Sequence, residues 1–192
     1  MTATNRSRGH RAGLTQPDVL AAAHEVLRLG AGTDLSLRAV AARLGVAPNA
    51  IYSYYPSRDA LVDAVLDDAL AAVATPSAGV QPLDGLRAVM LDSYDVLLGQ
   101  QHLVRHYLAR SGSRGEQAWR LGECMLGLLR DAGLPLAAAR VALQVLIVQA
   151  IGFASFDTAA ATSGATKSPR TRRREFAQAL DWLLSGIGLP VT

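Results

Sequence analysis

The stretch Leu35-Ser-Leu-Arg-Ala-Val-Ala-Ala-Arg-Leu-Gly-Val-Ala-Pro-Asn-Ala-Ile-Tyr-Ser-Tyr-Tyr55 decides the fold. Ser36 can cap a short helix over 37–44, and Gly45 is free to take the left-handed conformation that ends it. Leu37, Val40, Ala41 and Leu44 give that helix an inward face, and small Ala41 permits close approach. A second short helix starts at Pro48, with Val46 and Ile51 plugging the angle between the two. The result is a helix-turn-helix. Pro48, Asn49, Tyr52 and Ser53 fall on its outer face, where a second helix can lie in a major groove. The opening of the first helix, at Ser36 and Arg38, offers backbone amides suited to a phosphate.

Working outward, Thr15 can cap a preceding helix whose third residue is Asp18, with Val19, Leu20, Ala23, Val26 and Leu27 at helical spacing and Gly30 and Gly32 at its end. Ser57 caps a longer helix that is expected to run without Gly or Pro to Ala74. Beyond the Thr75-Pro-Ser-Ala-Gly79 linker the pattern becomes long apolar helices, read at about 82–98, 101–110, 115–132, 136–159 and 171–185. The small, polar stretch from Ala159 to Pro169 reads as a mobile loop.

Composition agrees with this division. Of 192 residues, 50% are apolar, 18% charged and 5% aromatic, which favours a packed helical protein over disorder. Residues 1–62 hold seven arginines (6, 8, 11, 28, 38, 43, 58) against four acids (18, 25, 34, 59). The rest of the chain holds twelve of each sign, so the net +3 belongs to the N-terminal third. Arg6, Arg8 and Arg11 lie on an arm, residues 1–14, that can reach a polyanion or simply stay solvated. One cysteine, Cys124, excludes a disulfide framework or a four-cysteine zinc site. No apolar region follows the first arginines, and the longest uncharged apolar run, Val141 to Phe156, is 16 residues, short of the roughly 20 that span a bilayer. It is expected to be a buried helix of a cytoplasmic protein with no membrane partner.

The segment resembles the tetracycline-repressor (TetR) family of transcriptional regulators. The likeness begins at Val19-Leu-Ala-Ala-Ala-His-Glu-Val-Leu-Arg-Leu-Gly30, continues through Ser36–Val46, and carries its signature in Ile51-Tyr-Ser-Tyr-Tyr-Pro-Ser-Arg-Asp-Ala-Leu61. Tyr54 stands where the family commonly has His, Tyr55 where it has Phe, Arg58 where it has Lys, and Asn49 where Gly is frequent. The resemblance implies an all-α chain: a three-helix DNA-binding domain over 15–60, then a ligand-binding and dimerisation domain over 61–192. It implies hydroxyl contacts to phosphates from Tyr52 and Tyr54, a charged phosphate contact from Arg58, a guanine contact from Arg38, and base-facing positions for Pro48, Asn49, Ala50 and Ser53. Tyr55 is expected in the core. The implied partners are a double-stranded operator, a second copy through 136–159 and 171–185, and a small-molecule effector.

Val141, Val145, Val148, Gly152 and Phe156 make a stripe for close helix contact, and Phe176, Leu180, Leu183 and Leu184 a complementary face. A monomeric core would show the same pattern. Polar candidates for the effector pocket are Tyr94, His102, Trp119, Gln144 and Gln149, which could equally sit at an interface or in solvent. His102 and His106 have a metal-compatible spacing but no carboxylate or third ligand, so they read as a solvent-facing or pocket-lining pair. Cys124 reads as a small core residue. Lys167-Ser-Pro-Arg-Thr-Arg-Arg-Arg174, five basic residues in eight, could touch nucleic acid but is read first as a solvated loop that caps the next helix. No catalytic constellation, cofactor fingerprint or metal site is expected. A helical enzyme would need such a constellation, and an architectural DNA binder would lack the effector response.

Overall fold

Thr15 starts the first helix as its spacing predicts. Its backbone N–H donates to the Asp18 carboxylate at 2.8 Å, and the Asp18 N–H returns to the Thr15 hydroxyl at 3.4 Å, a reciprocal cap. The computed structural model describes residues 13–30, 35–110, 112, 114–162, 164 and 167–187. The basic arm with Arg6, Arg8 and Arg11 lies outside the described residues, as do parts of the Ser111–Arg114 turn and of the expected loop 159–169, whose two ends, 159–162 and Pro169, are helical instead. The chain divides into two compact units, with the boundary between Val65 and Leu66.

The first unit contains α1 (Gln16–Leu29), α2 (Leu37–Leu44), α3 (Pro48–Tyr52) and the start of α4 (Arg58–Ala69). Ser36 caps α2, its hydroxyl accepting from the Ala39 N–H at 3.1 Å. Gly45 ends the helix at φ 67°, a left-handed conformation that a side chain would strain. Val19, Ala23, Leu35, Val40, Ile51, Leu61 and Val65 are fully buried, and α1 and α3 both pack on α2. Val46 is half-buried rather than a full plug, while Ile51 fills the angle. Tyr55 is buried, in the core as expected.

Ser57 caps α4, accepting from the Ala60 N–H at 3.0 Å. The expected continuous helix to Ala74 does not form. The α-helix ends at Ala69, tightens into a 3₁₀ turn over Leu70–Ala72, and gives way to extended backbone at Val73. Carbonyls freed at this end are taken by a side chain from elsewhere in the chain: Arg120 donates to Leu70 O at 3.4 Å and to Val73 O at 3.0 Å.

The second unit is built around α5 (Pro82–Gly99), which packs on α6 (Gln101–Ala109), α7 (Glu116–Asp131), α8 (Leu136–Thr162) and α9 (Pro169–Ile187). Tyr94 on α5 is fully buried and stacks on Phe176 of α9 with ring centroids 4.1 Å apart, and Phe153 of α8 meets Phe176 edge-on at 5.5 Å. The Tyr94 hydroxyl donates to the Asp157 carboxylate, and burial first, then this bond, pushes the phenol far above its ordinary range. Arg87 and Asp181 form a two-pronged ion pair at 2.7 and 3.2 Å between α5 and α9.

One reading of α9 is decided and one expectation for α8 changes. Phe176, Leu180 and Leu184, read as either a partner-facing or a core stripe, are buried inside the unit, and Leu183 is half-buried. The large apolar group that α9 leaves outside is Trp182, 70% exposed. In turn α8 is not the buried helix expected of its apolar run. It is 27 residues long, and Leu136–Ala160 is apolar and long enough, by length and composition alone, to cross a membrane, with 17% of its most apolar window buried. One side, with Ala139, Leu146, Ala150 and Ala154, packs inward, while Val141, Val148 and Phe156 stand outside at 62, 63 and 82% exposure.

Candidate nucleic-acid interface and regulatory cavity

The short α3 has a job that propensity alone would not sustain, because a helix of five residues is unstable by itself. Its hold on the unit comes from Ile51, with no exposed surface, and from Tyr54 and Tyr55 N–H groups, both bonded to Ile51 O at 3.0 Å. Pro48 supplies a helical first residue that lacks an unsatisfied N–H. With one side anchored, Pro48, Asn49, Tyr52 and Ser53 are exposed and Ala50 is half-buried. The Ser53 hydroxyl donates to Ala50 O at 2.7 Å, which turns its lone pairs outward. Arg38, one residue into α2, is exposed as well. The structure therefore places Arg38, Pro48, Asn49, Tyr52 and Ser53 on exposed positions of the two helices of one motif.

Tyr54 and Arg58 have intramolecular duties. The Tyr54 hydroxyl donates to Leu14 O, so its proton ties the segment before α1 to the motif instead of being held ready for a phosphate. Arg58 donates through Nε to Leu35 O at 2.8 Å and places Nη1 3.9 Å from Asp59, with 43% of its side chain exposed. It braces the entry to α2 and still shows charge to solvent. Arg43 is occupied by Glu25, 2.6 Å away. The Ser36 hydroxyl serves its own helix.

The second unit holds a cavity of about 180 Å³ among α5, α6, α7, α8 and the 3₁₀ turn. Met90, Leu97, Leu121 and Met125 supply much of its wall, and Ser93 and Tyr107 the hydroxyls. None of the five polar candidates borders it. Tyr94 is spent on Phe176 and Asp157, Gln144 is exposed, and Trp119 is 72% exposed on a shallow neighbouring groove with Arg114 and Glu123. Gln149 is half-buried, its side-chain oxygen lacking a hydrogen bond among the described residues. His106 is buried, accepting from Arg105 Nε at 3.2 Å, and His102 is half-buried, so the pair is not solvent-facing. Cys124 is half-buried, and desolvation raises its thiol pKa.

Residues 66–73 are tied to the cavity's own walls. Tyr107 of α6 donates to Leu66 O at 2.5 Å. Asp67 accepts from the Gln117 and Ala118 N–H groups at 3.0 and 2.8 Å, an N-terminal cap supplied to α7 from a distant part of the chain. A Cβ on Gly115 would lie 2.3 Å from that carboxyl group, so only glycine lets it approach. These ties were invisible in the sequence, because Asp67 and Gln117 are neighbours only after folding.

Residues 19–65, which contain the whole motif, match the family of bacterial regulatory proteins designated tetR. The motif is that of the TetR family. Among solved structures of similar fold is BioQ of Mycobacterium smegmatis, 26% identical, with a TM-score of 0.79 over 91% of this chain and 98% of that one. A BioQ structure with its double-stranded DNA operator is 25% identical, with a TM-score of 0.75 over 93% and 100%. A TetR variant from Acinetobacter baumannii in complex with minocycline shares the fold at 24% identity, with a TM-score of 0.77 over 91% and 96%. No curated protein sequence matches at a significant level. The TetR-family match accounts for the helix-turn-helix, and the similar solved structures share the all-helical unit that follows it.

Proposed function

We propose that this protein is a homodimeric, cytoplasmic repressor that leaves a palindromic DNA operator when a small molecule binds the second unit. The observation that carries the reading is the exposed row Arg38, Pro48, Asn49, Tyr52 and Ser53 on a motif anchored from behind by Ile51. A row of that size suits one half-site, and two copies would read two half-sites about one helical turn apart or a multiple of it. Arg38 reads a guanine edge, Tyr52 and Arg58 face phosphates, and Ala50 suits a thymine methyl. The exposed α8 stripe, with Trp182 of α9, supports pairing of two copies in a helical bundle. The operator held by the similar BioQ is consistent with the DNA partner.

Release would run through residues 66–73, since the groups that hold this segment also border or adjoin the cavity. A ligand that moves α6 or α7 shifts those anchors and the end of α4 with them. Coupling is reciprocal, so DNA must weaken the ligand as much as the ligand weakens DNA. Selection of bound fragments from random DNA, followed by sedimentation of protein and complex, tests the reading. A palindromic consensus bound by two chains is expected. A protein that stays monomeric at micromolar concentration, or that selects no sequence, would overturn it.

A further inference from the structure

The cavity is selective in its chemistry. Its described lining contains no charged side chain. An ionised ligand would lose hydration and find no opposite charge in that lining to replace it. The two hydroxyls in the lining have already used their protons: Ser93 donates to Val89 O at 2.7 Å and Tyr107 to Leu66 O at 2.5 Å. Gly112, also in the lining, spends its N–H on Tyr107 O at 2.8 Å. Among the described lining side chains, what remains is the lone pairs of two oxygens in an apolar wall. Burial, with the Asp67 charge second, raises the Tyr107 phenol well above its ordinary 10.0, so it stays neutral. Size is also bounded. An apolar cavity of about 150 Å³ accepts benzene, so about 180 Å³ suits a single substituted ring. Met90 and Met125 can adapt to its outline.

We infer that this cavity takes a small uncharged ligand, about one aromatic ring in size, that donates a hydrogen bond to the Tyr107 or Ser93 oxygen, and that it rejects the corresponding anion. This deepens the regulator reading above, resting on the cavity as its effector site. The probes are toluene, 4-methylphenol and 4-methylbenzoate, one methylated ring with three different para groups, titrated calorimetrically into the full-length protein. The phenol should bind roughly fivefold tighter than toluene, the worth of one neutral hydrogen bond. The benzoate should bind at least tenfold more weakly than toluene.

Three variants locate the site. Tyr107→Phe or Ser93→Ala should abolish the preference for phenol while toluene still binds. Gly122→Leu should lower affinity for toluene and phenol at least tenfold while the protein stays folded, because Gly122 borders the cavity and nothing lies within 4 Å of its Cβ position. Benzoate bound as well as the phenol, a preference that survives both hydroxyl variants, or unchanged binding in a folded Gly122→Leu protein would each overturn the inference. Operator titrations run in parallel separate it from the regulator reading. Phenol binding without DNA release supports the ligand class and removes the release step. Operator binding with no affinity for toluene or phenol overturns the ligand class and leaves the DNA reading standing.

Discussion

Helices α3 and α8 both leave side chains outside, and they do so for opposite reasons. In α3 and its cap the exposed positions are Pro48, Asn49, Tyr52 and Ser53, each small or carrying a polar group that water can solvate. In α8 they include Val141, Val145, Val148 and Phe156, which water solvates poorly. A polar row on a firmly anchored short helix is complete without a permanent partner and suits a reversible one. An apolar stripe along a 27-residue helix is an incomplete surface, and a second copy is the occupant that the proposal assigns to it. The contrast teaches that exposure has meaning only alongside chemistry.

The largest effect should come from attacking the apolar stripe. Val148→Asp places a charge where a partner is proposed, yet 63% exposure lets the single chain tolerate it. The variant should sediment as a folded monomer and lose operator affinity by roughly 10³-fold or more, since one half-site's specific contacts disappear. A variant that stays dimeric would remove this stripe from the interface.

Next in size is the contrast between two phenylalanines. Phe176→Ala empties a stacked, fully buried site and should cost about 3–5 kcal/mol in denaturant unfolding. Phe156→Ala, 82% exposed, should leave the unfolding of the monomeric Val148→Asp background within about 0.5 kcal/mol. Similar costs for both would contradict the inward turn of α9.

On the polar row, Arg38→Ala should cost about 1–3 kcal/mol and relax preference at a single base pair. Arg58→Ala should weaken all sequences together and lower the salt slope by about 1. Fragment selection and salt titration distinguish them, and an unchanged affinity for both variants would sink the assignment.

The smallest expected effect is the acid response of the Arg87–Asp181 pair. Hydrogen bonds from Arg87 hold the Asp181 carboxyl below its ordinary 3.8. A carboxyl lowered in the folded state stabilises above its unfolded pKa and loses that contribution as pH falls through the folded value. Because both side chains are over two-fifths exposed, Asp181→Asn should cost less than about 1 kcal/mol at pH 7. That deficit should shrink as pH falls below the ordinary 3.8 and vanish once Asp181 is protonated in the folded state, as followed by urea melts across pH.

The sequence by itself was enough for the helix-turn-helix, because every signal there is local. The Thr15–Asp18 cap, the Ser36 cap, the left-handed Gly45 and the Ile51 anchor each involve residues a few positions apart, so side-chain chemistry and backbone geometry can be read together. The helical character of the second unit was equally legible from its periodicity. What periodicity cannot show is which apolar face meets which helix. Only the tertiary structure turned Phe176, Leu180 and Leu184 inward and left Val148 and Phe156 outside, because burial is settled by packing against α5 and not by apolarity alone. The same holds for the cavity. Ser93 and Tyr107 are ordinary helix residues in the sequence, and they share an apolar chamber only once α5, α6, α7 and α8 close around it. Short-range rules decide where helices begin and end, while long-range packing decides what their faces surround.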